Sequence, residues 1–234
     1  MIVNNMKTKT STRHLATLAV VLATTFPLAG QAHDDNMIFS TTRIEVDAGR
    51  FDSQSSQTWR ADGWIGHDYN RFAWRTQGAR TGGKTDEADV QALYSRYLAS
   101  FWDIQAGLRH EFKPDGKDYG VIALRGLAPY AFDVDTAAFV RTDGKLFART
   151  RFEYDLLMTN RFIVRPFIAA DWSLQSLPDE GIKSGRTSSE VGVNFRYEIK
   201  RSFAPYVEVS HQTHAGLAEK ESGMAVRAGL RLVF

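Results

Sequence analysis

The chain holds 234 residues, 43% hydrophobic and 24% charged, with 29 Lys and Arg against 27 Asp and Glu and no cysteine. That is one domain's worth of material, and its net charge of +2 gives no electrostatic footprint for nucleic acid. The absence of thiols excludes a disulfide scaffold, an iron–sulfur cluster, a cysteine nucleophile and a thiolate zinc site.

The first segment reads as an export signal. Lys7, Lys9 and Arg13 precede an apolar run from Leu15 to Leu28, which exits through Gly30-Gln31-Ala32 ahead of the polar His33-Asp34-Asp35-Asn36. A basic head, a short greasy middle and a small-residue exit define a secretory signal peptide, and Pro27 interrupts the helix an uncleaved anchor would need. The expected division is residues 1–32 as signal peptide, 33–37 as a short periplasmic segment and 38–234 as the remaining domain. The leader carries no acidic residue, so the processed chain holds 26 basic and 27 acidic side chains.

From Ile38 onward the hydropathy period is two, and turn-forming residues recur every ten to fifteen positions. The pattern predicts twelve strands, centred near residues 43, 60, 74, 93, 106, 122, 136, 151, 167, 194, 207 and 229. Along them one face collects charge: Arg43, Glu45 and Asp47; Arg71 and Arg75; Asp103, Arg109 and Glu111; Asp133 and Asp135; Arg149, Arg151, Glu153 and Asp155; Arg227 and Arg231. The other face is apolar, as in Phe162, Val164, Pro166, Ile168, Ala170 and Trp172, or Val226, Ala228, Leu230, Leu232 and Phe234. Turns are expected at Thr81-Gly82-Gly83-Lys84, at Lys113-Pro114-Asp115-Gly116, at Thr142-Asp143-Gly144 and over Ser176 to Thr187. A tilted membrane-spanning strand needs about ten residues, so twelve strands fit with short turns to spare.

Alternation alone does not say which face is outside, because a soluble lipocalin-like barrel has the same period. Three features turn it inside out. The chain ends on an aromatic residue at an apolar-face position, Phe234; aromatic residues gather near strand ends (Trp102, Tyr119, Tyr130, Phe132, Tyr154, Trp172, Tyr197 and Phe203), as interfacial girdles do; and the charged face mixes signs so that neighbours can pair across strands. The fold class expected is therefore all-β: a closed antiparallel transmembrane β-barrel of about twelve strands, of the outer-membrane type. Its narrow lumen should be cross-linked by salt bridges more than open.

Several blocks then resemble a known family. Gly63-Trp64-Ile65-Gly66-His67-Asp68-Tyr69-Asn70-Arg71, Ala92-Leu93-Tyr94-Ser95-Arg96 and the run from Phe101 to Arg109 are similar to segments of the copper resistance protein B family of outer-membrane proteins. Gly126-Leu127-Ala128-Pro129-Tyr130, the run from Glu153 to Arg161 and the run from Tyr197 to Val207 continue the likeness in the same order. The resemblance implies an exported barrel that helps a cell tolerate copper by binding copper ions or passing them outward, with outer-membrane lipid as its surroundings and periplasmic copper-handling proteins as possible partners. Members of that family often carry a Met- and His-rich tract before the barrel, soft donors suited to copper. Here the span from the expected cleavage site to the first strand holds only His33 and Met37.

The candidate copper ligands are His211, His214, His67, His33 and Met37, with His110, Met158 and Met224 as further imidazoles and thioethers. His211 and His214 lie three apart, so they share a site only if the strand ends near Gln212. His67 follows Gly66 in a loop block, and His110 is expected on the apolar face beside Leu108 and Phe112. His33 with Asp34, Asp35 and Met37 offers nitrogen, oxygen and sulfur donors close to a new amino terminus.

Two other functions compete. One is a passive structural or pore-forming barrel. The other is a lipid A deacylase-like enzyme, because Ser210-His211-Gln212-Thr213-His214-Ala215-Gly216 faintly resembles the His-x-Ser-Asn-Ala-Gly segment of those barrels, with Thr213 in place of the serine and His214 in place of the asparagine. No phosphate-binding loop, dinucleotide fingerprint or His-Glu-x-x-His helix is present, and a non-catalytic protein is the expected class.

Overall fold

The computed structural model describes residues 37–215 and 220–234. The expected leader and His33 lie outside the described residues. The described chain is almost wholly strand: β1 (Phe39–Phe51), β2 (Gln54–Gly66), β3 (Asn70–Thr81), β4 (Lys84–Ala99), β5 (Trp102–Lys113), β6 (Lys117–Ala128), β7 (Phe132–Arg141), β8 (Leu146–Tyr154), β9 (Leu156–Leu157), β10 (Phe162–Ser173), β11 (Gly185–Tyr197), β12 (Phe203–Ala215) and β13 (Lys220–Val233). The two-residue β9 continues β8 beyond Asp155, since both pair with β10. The wall therefore has twelve spans, each antiparallel to its sequence neighbours, and closes where β1 pairs with β13.

Closure is sealed by the last residue. Phe234 donates its amide to Thr42 O at 2.9 Å and accepts from Thr42 N at 3.0 Å, so the start of β1 and the carboxyl terminus lie at one end of the cylinder. A closed ring leaves no unpaired edge, which is what a strand structure needs in hydrocarbon. Most strands are longer than the ten residues expected; β4 has 16. Spanning sets only a minimum length, and the ladders run on into the hairpins, as in Gln54–Phe51 and Thr81–Lys84, where two-residue turns leave pairing intact to the tip.

Facing follows the alternation. Leu108, Ile122, Ile168, Val191, Val226 and Leu230 stand exposed on the outside, while Arg227 and Arg196 are buried within. Three outward tryptophans lie over glycines in direct cross-strand register: Trp59 over Gly78, Trp74 over Gly63 and Trp102 over Gly126. A Cβ at Gly78 would sit 2.1 Å from the Trp59 ring. The missing side chain is thus the seat of the indole, and the ring covers a strand segment that would otherwise be bare.

One expected girdle residue faces the other way. Tyr119 is buried in the lumen, donating its hydroxyl to Glu111 at 2.6 Å, with its ring edge-on to Phe139. β6 is apolar on both faces here, so alternation did not orient it. Tyr119 belongs to an apolar cluster inside the barrel with Leu93, Val121, Ala123 and Phe139. Trp102, Phe132, Tyr154, Tyr197 and Phe203 occupy strand ends on the terminal side, and Trp172 the opposite end.

Candidate functional site

Ion pairs knit the lumen. Arg43 donates to Asp62 at 2.8 and 2.9 Å, Arg75 reaches across to Asp135 at 2.9 Å, and Arg109 holds Asp89 at 3.0 Å. Arg165 bonds both Asp155 and Glu153, and Arg227, buried at 6% exposure, joins Glu208 at 2.9 Å, Glu190 at 3.1 Å and Asp47 at 3.5 Å. Cross-strand partners of opposite sign meet because the period of two gathers most of the strands' charges on the inside. These pairs leave a cavity of about 820 Å³ that reaches the far-end hairpins at Gln54, Thr81, Lys84 and Pro114. A smaller void of about 10 Å³ adjoins it, lined among others by Arg60, Arg151, Arg165, Arg196 and Arg231.

The expected ligands are scattered over this frame. β12 runs unbroken to Ala215, so His211 points outward, opposite Val191 and Met224, and His214 points inward to line the cavity. The condition for a shared site, a strand ending near Gln212, is not met. Thr213 shares the outer face with His211, and among the described residues no carboxylate hydrogen-bonds that imidazole. His110 lies on the outer face as expected, its ring against Phe112 and its Nδ1 2.7 Å from Asp118. Met158 is exposed in the turn after β9.

His67 and Met37 are brought together. Phe39 pairs with Gly66 at the start of the β1–β2 ladder, which places the residues flanking them side by side at the terminal end. The His67 Nδ1 lies 3.2 Å from Met37 O. A carbonyl only accepts, so this contact assigns the proton to Nδ1 and leaves the Nε2 lone pair free. A backbone-anchored Nδ1–H of this kind is how proteins fix an imidazole for metal ligation through the other nitrogen. Met37 is 66% exposed, so its thioether is accessible. The donor set, one imidazole and one thioether, is soft enough for copper. Among the described residues no cluster of three or more His, Asp or Glu is arranged to hold a metal.

The far end carries a clamp that no local motif announces. The loop between β10 and β11 carries a short 3-10 turn, Pro178–Glu180, and Glu180 accepts two bonds from Arg141, at 2.7 and 2.8 Å, and one from Lys117 at 3.0 Å. Arg141 also holds Asp143 in a fork at 2.8 and 2.9 Å. Hydrogen bonds from Arg141 hold the Glu180 carboxyl down to about 2, and Asp143 well below the usual carboxylate range.

A family model described as Copper resistance protein B precursor (CopB) matches residues 36–234. The chain belongs to the copper resistance protein B family. It is 34% identical over 204 residues to Copper resistance protein B of Escherichia coli, covering 86% of this chain and 68% of that one. It is 37% identical over 215 residues to the Copper resistance protein B homolog of Pseudomonas syringae pv. tomato, covering 87% and 72%. Among solved structures, a NanC porin superposes with a TM-score of 0.60 at 12% identity, over 81% of this chain and 98% of that one. A KdgM porin does so at 0.52 and 11%, over 82% and 99%. At such identities the porins speak to the fold alone.

Family and fold together make this an outer-membrane protein of copper resistance. In such barrels short turns face the periplasm and long loops face outward. The longest connection, residues 174–184, lies at the end away from Phe234, the end that by this rule faces outward, and the His67–Met37 contact lies at the other.

Proposed function

We propose that this member of the copper resistance protein B family binds copper at its periplasmic mouth, with His67 Nε2 and the Met37 thioether as protein donors, and so sequesters the metal on the inner side of the outer membrane. The observation that carries the reading is the His67 Nδ1 to Met37 O contact of 3.2 Å, which holds the imidazole with Nε2 free, at a methionine that is itself exposed. Periplasmic copper-handling proteins are the partners such a position would meet.

Conduction of the bare ion through the resting lumen is the weaker reading. A cation in the lumen meets the fixed guanidinium groups of Arg60, Arg151, Arg165, Arg196 and Arg231, whose positive charge raises its barrier. The ion pairs that cross-link the lumen, such as Arg75 with Asp135 and Arg227 with Glu190, speak against a wide passive pore. A deletion strain carrying His67→Ala or Met37→Leu, compared with the intact gene under copper stress, tests the proposal. Copper sensitivity should return in both; full resistance in both would overturn it.

A further inference from the structure

At the end of the wall away from Phe234, β1 to β3 carry a polar patch on their outer face. Arg50 stands in register with Ser55, and Gln57 with Arg80. None of the four lines the cavity, whereas their chain neighbours Phe51, Gln54, Ser56, Thr58, Ala79 and Thr81 do. Arg50, Ser55 and Gln57 are exposed and Arg80 is half-buried. One outward position nearer the termini, Trp59 lies over Gly78, in register with the exposed Val46. Val226, opposite Arg50 on β13, is exposed as well. A tryptophan beneath charged residues and above apolar ones marks the boundary between headgroups and acyl chains.

The two guanidinium groups are uncommitted. Every arginine that lines the cavity is ion-paired, but Arg50 and Arg80 form no ion pair among the described residues. Arg80 donates Nε to Gly83 O at 3.0 Å, which orients its fork and leaves both terminal nitrogens without an acceptor among the described residues. Nearby acids are turned elsewhere: Asp52 accepts the Met224 amide at 3.2 Å, and Asp86 and Glu87 line the cavity. β1 and β3 flank β2 at about 10 Å from each other, so two extended arginine arms can converge over Ser55 and Gln57. On a lipid-facing wall an arginine is stable where its stem carries the charge to the headgroups, and its planar fork matches phosphate oxygens two at a time.

We propose that this face of β1–β3 binds a phosphate of the outer-leaflet lipid, the lipid A of lipopolysaccharide, with Arg50 and Arg80 forking it from either side and Ser55 and Gln57 donating between them. The same lipid's acyl chains meet Val46, Trp59 and Val226 below, so adjacent parts of the wall match head and tail. A free phosphate ion would engage only the upper part. The site rests on the outer-membrane placement and is independent of the copper reading.

Native mass spectrometry of the purified barrel in mild detergent, titrated with diphosphorylated lipid A, tests the site. Affinity should fall by about tenfold or more for lipid A stripped of its phosphates, and inorganic phosphate in excess should not displace the intact lipid. Arg50→Gln/Arg80→Gln should bring the phosphorylated lipid down to the level of the stripped one. Arg186→Gln, which removes an exposed arginine opposite Trp172 at the same end of the barrel, should change nothing. Equal retention of the two lipids by the unmodified protein would overturn the proposal, as would displacement by inorganic phosphate or an equal loss in Arg186→Gln.

Discussion

His211 and His214 lie on opposite faces of the barrel wall, although they stand only three positions apart in one unbroken strand. An odd spacing in a strand always divides two side chains this way, so the pair forms no chelate. Copper titration of the purified barrel should give the same affinity for the unmodified protein and for His211→Ala/His214→Ala. A drop of about tenfold or more in the double variant would place the metal at that strand.

Arg227 links three carboxylates from three strands, Asp47, Glu190 and Glu208, with 6% of its side chain exposed. Arg227→Met should destabilise the barrel by about 3–5 kcal/mol, because it strands buried charge. Leu230→Arg, on the outer face of the same strand, should cost about 2–4 kcal/mol through contact with acyl chains. Urea unfolding in detergent or lipid vesicles reads both.

Gly126 is the seat of Trp102. A Cβ there would lie 2.3 Å from Phe101 O and 2.7 Å from the indole. Gly126→Ala should cost about 1–3 kcal/mol by overpacking, and should shift the tryptophan emission as Trp102 is pushed off the strand.

The extracellular clamp has a defined acid limit. Arg141 and Lys117 donate to Glu180, Asp143 shares Arg141, and Lys145 lies 3.1 Å from Asp143. The Glu180 carboxyl is held at about 2 in the folded protein, below its ordinary value of 4.5. Its contribution is thus complete above pH 4.5 and is lost as the pH falls through about 2. The Leu177 and Ile182 amides, which bond each other's carbonyls across the loop, should keep their hydrogen-exchange protection down to about pH 4 and lose it toward pH 2. Loss already near pH 5 would show that the clamp is not what holds the loop.

Much of this was written in the alternation. A barrel wall is two-sided, so a period of two specifies facing for every strand whose two faces differ, and Arg227 against Val226 is unambiguous. The rule failed at Tyr119, where β6 is apolar on both sides and the inward ring packs on Phe139 instead of meeting lipid. The His67–Met37 contact was not legible, because it depends on the β1–β2 register beginning at Phe39 and Gly66, a property of pairing and not of composition. Glu180 and Arg141 are 39 residues apart in the chain, and nothing local announces that the loop folds back onto the β7–β8 hairpin.

The most direct measurement is X-ray absorption at the copper edge on the purified barrel loaded with one equivalent of Cu(I). The account predicts a shell containing both an imidazole nitrogen and a sulfur, with the sulfur lost in Met37→Leu and the imidazole signal lost in His67→Ala. An unchanged spectrum in both variants would contradict it.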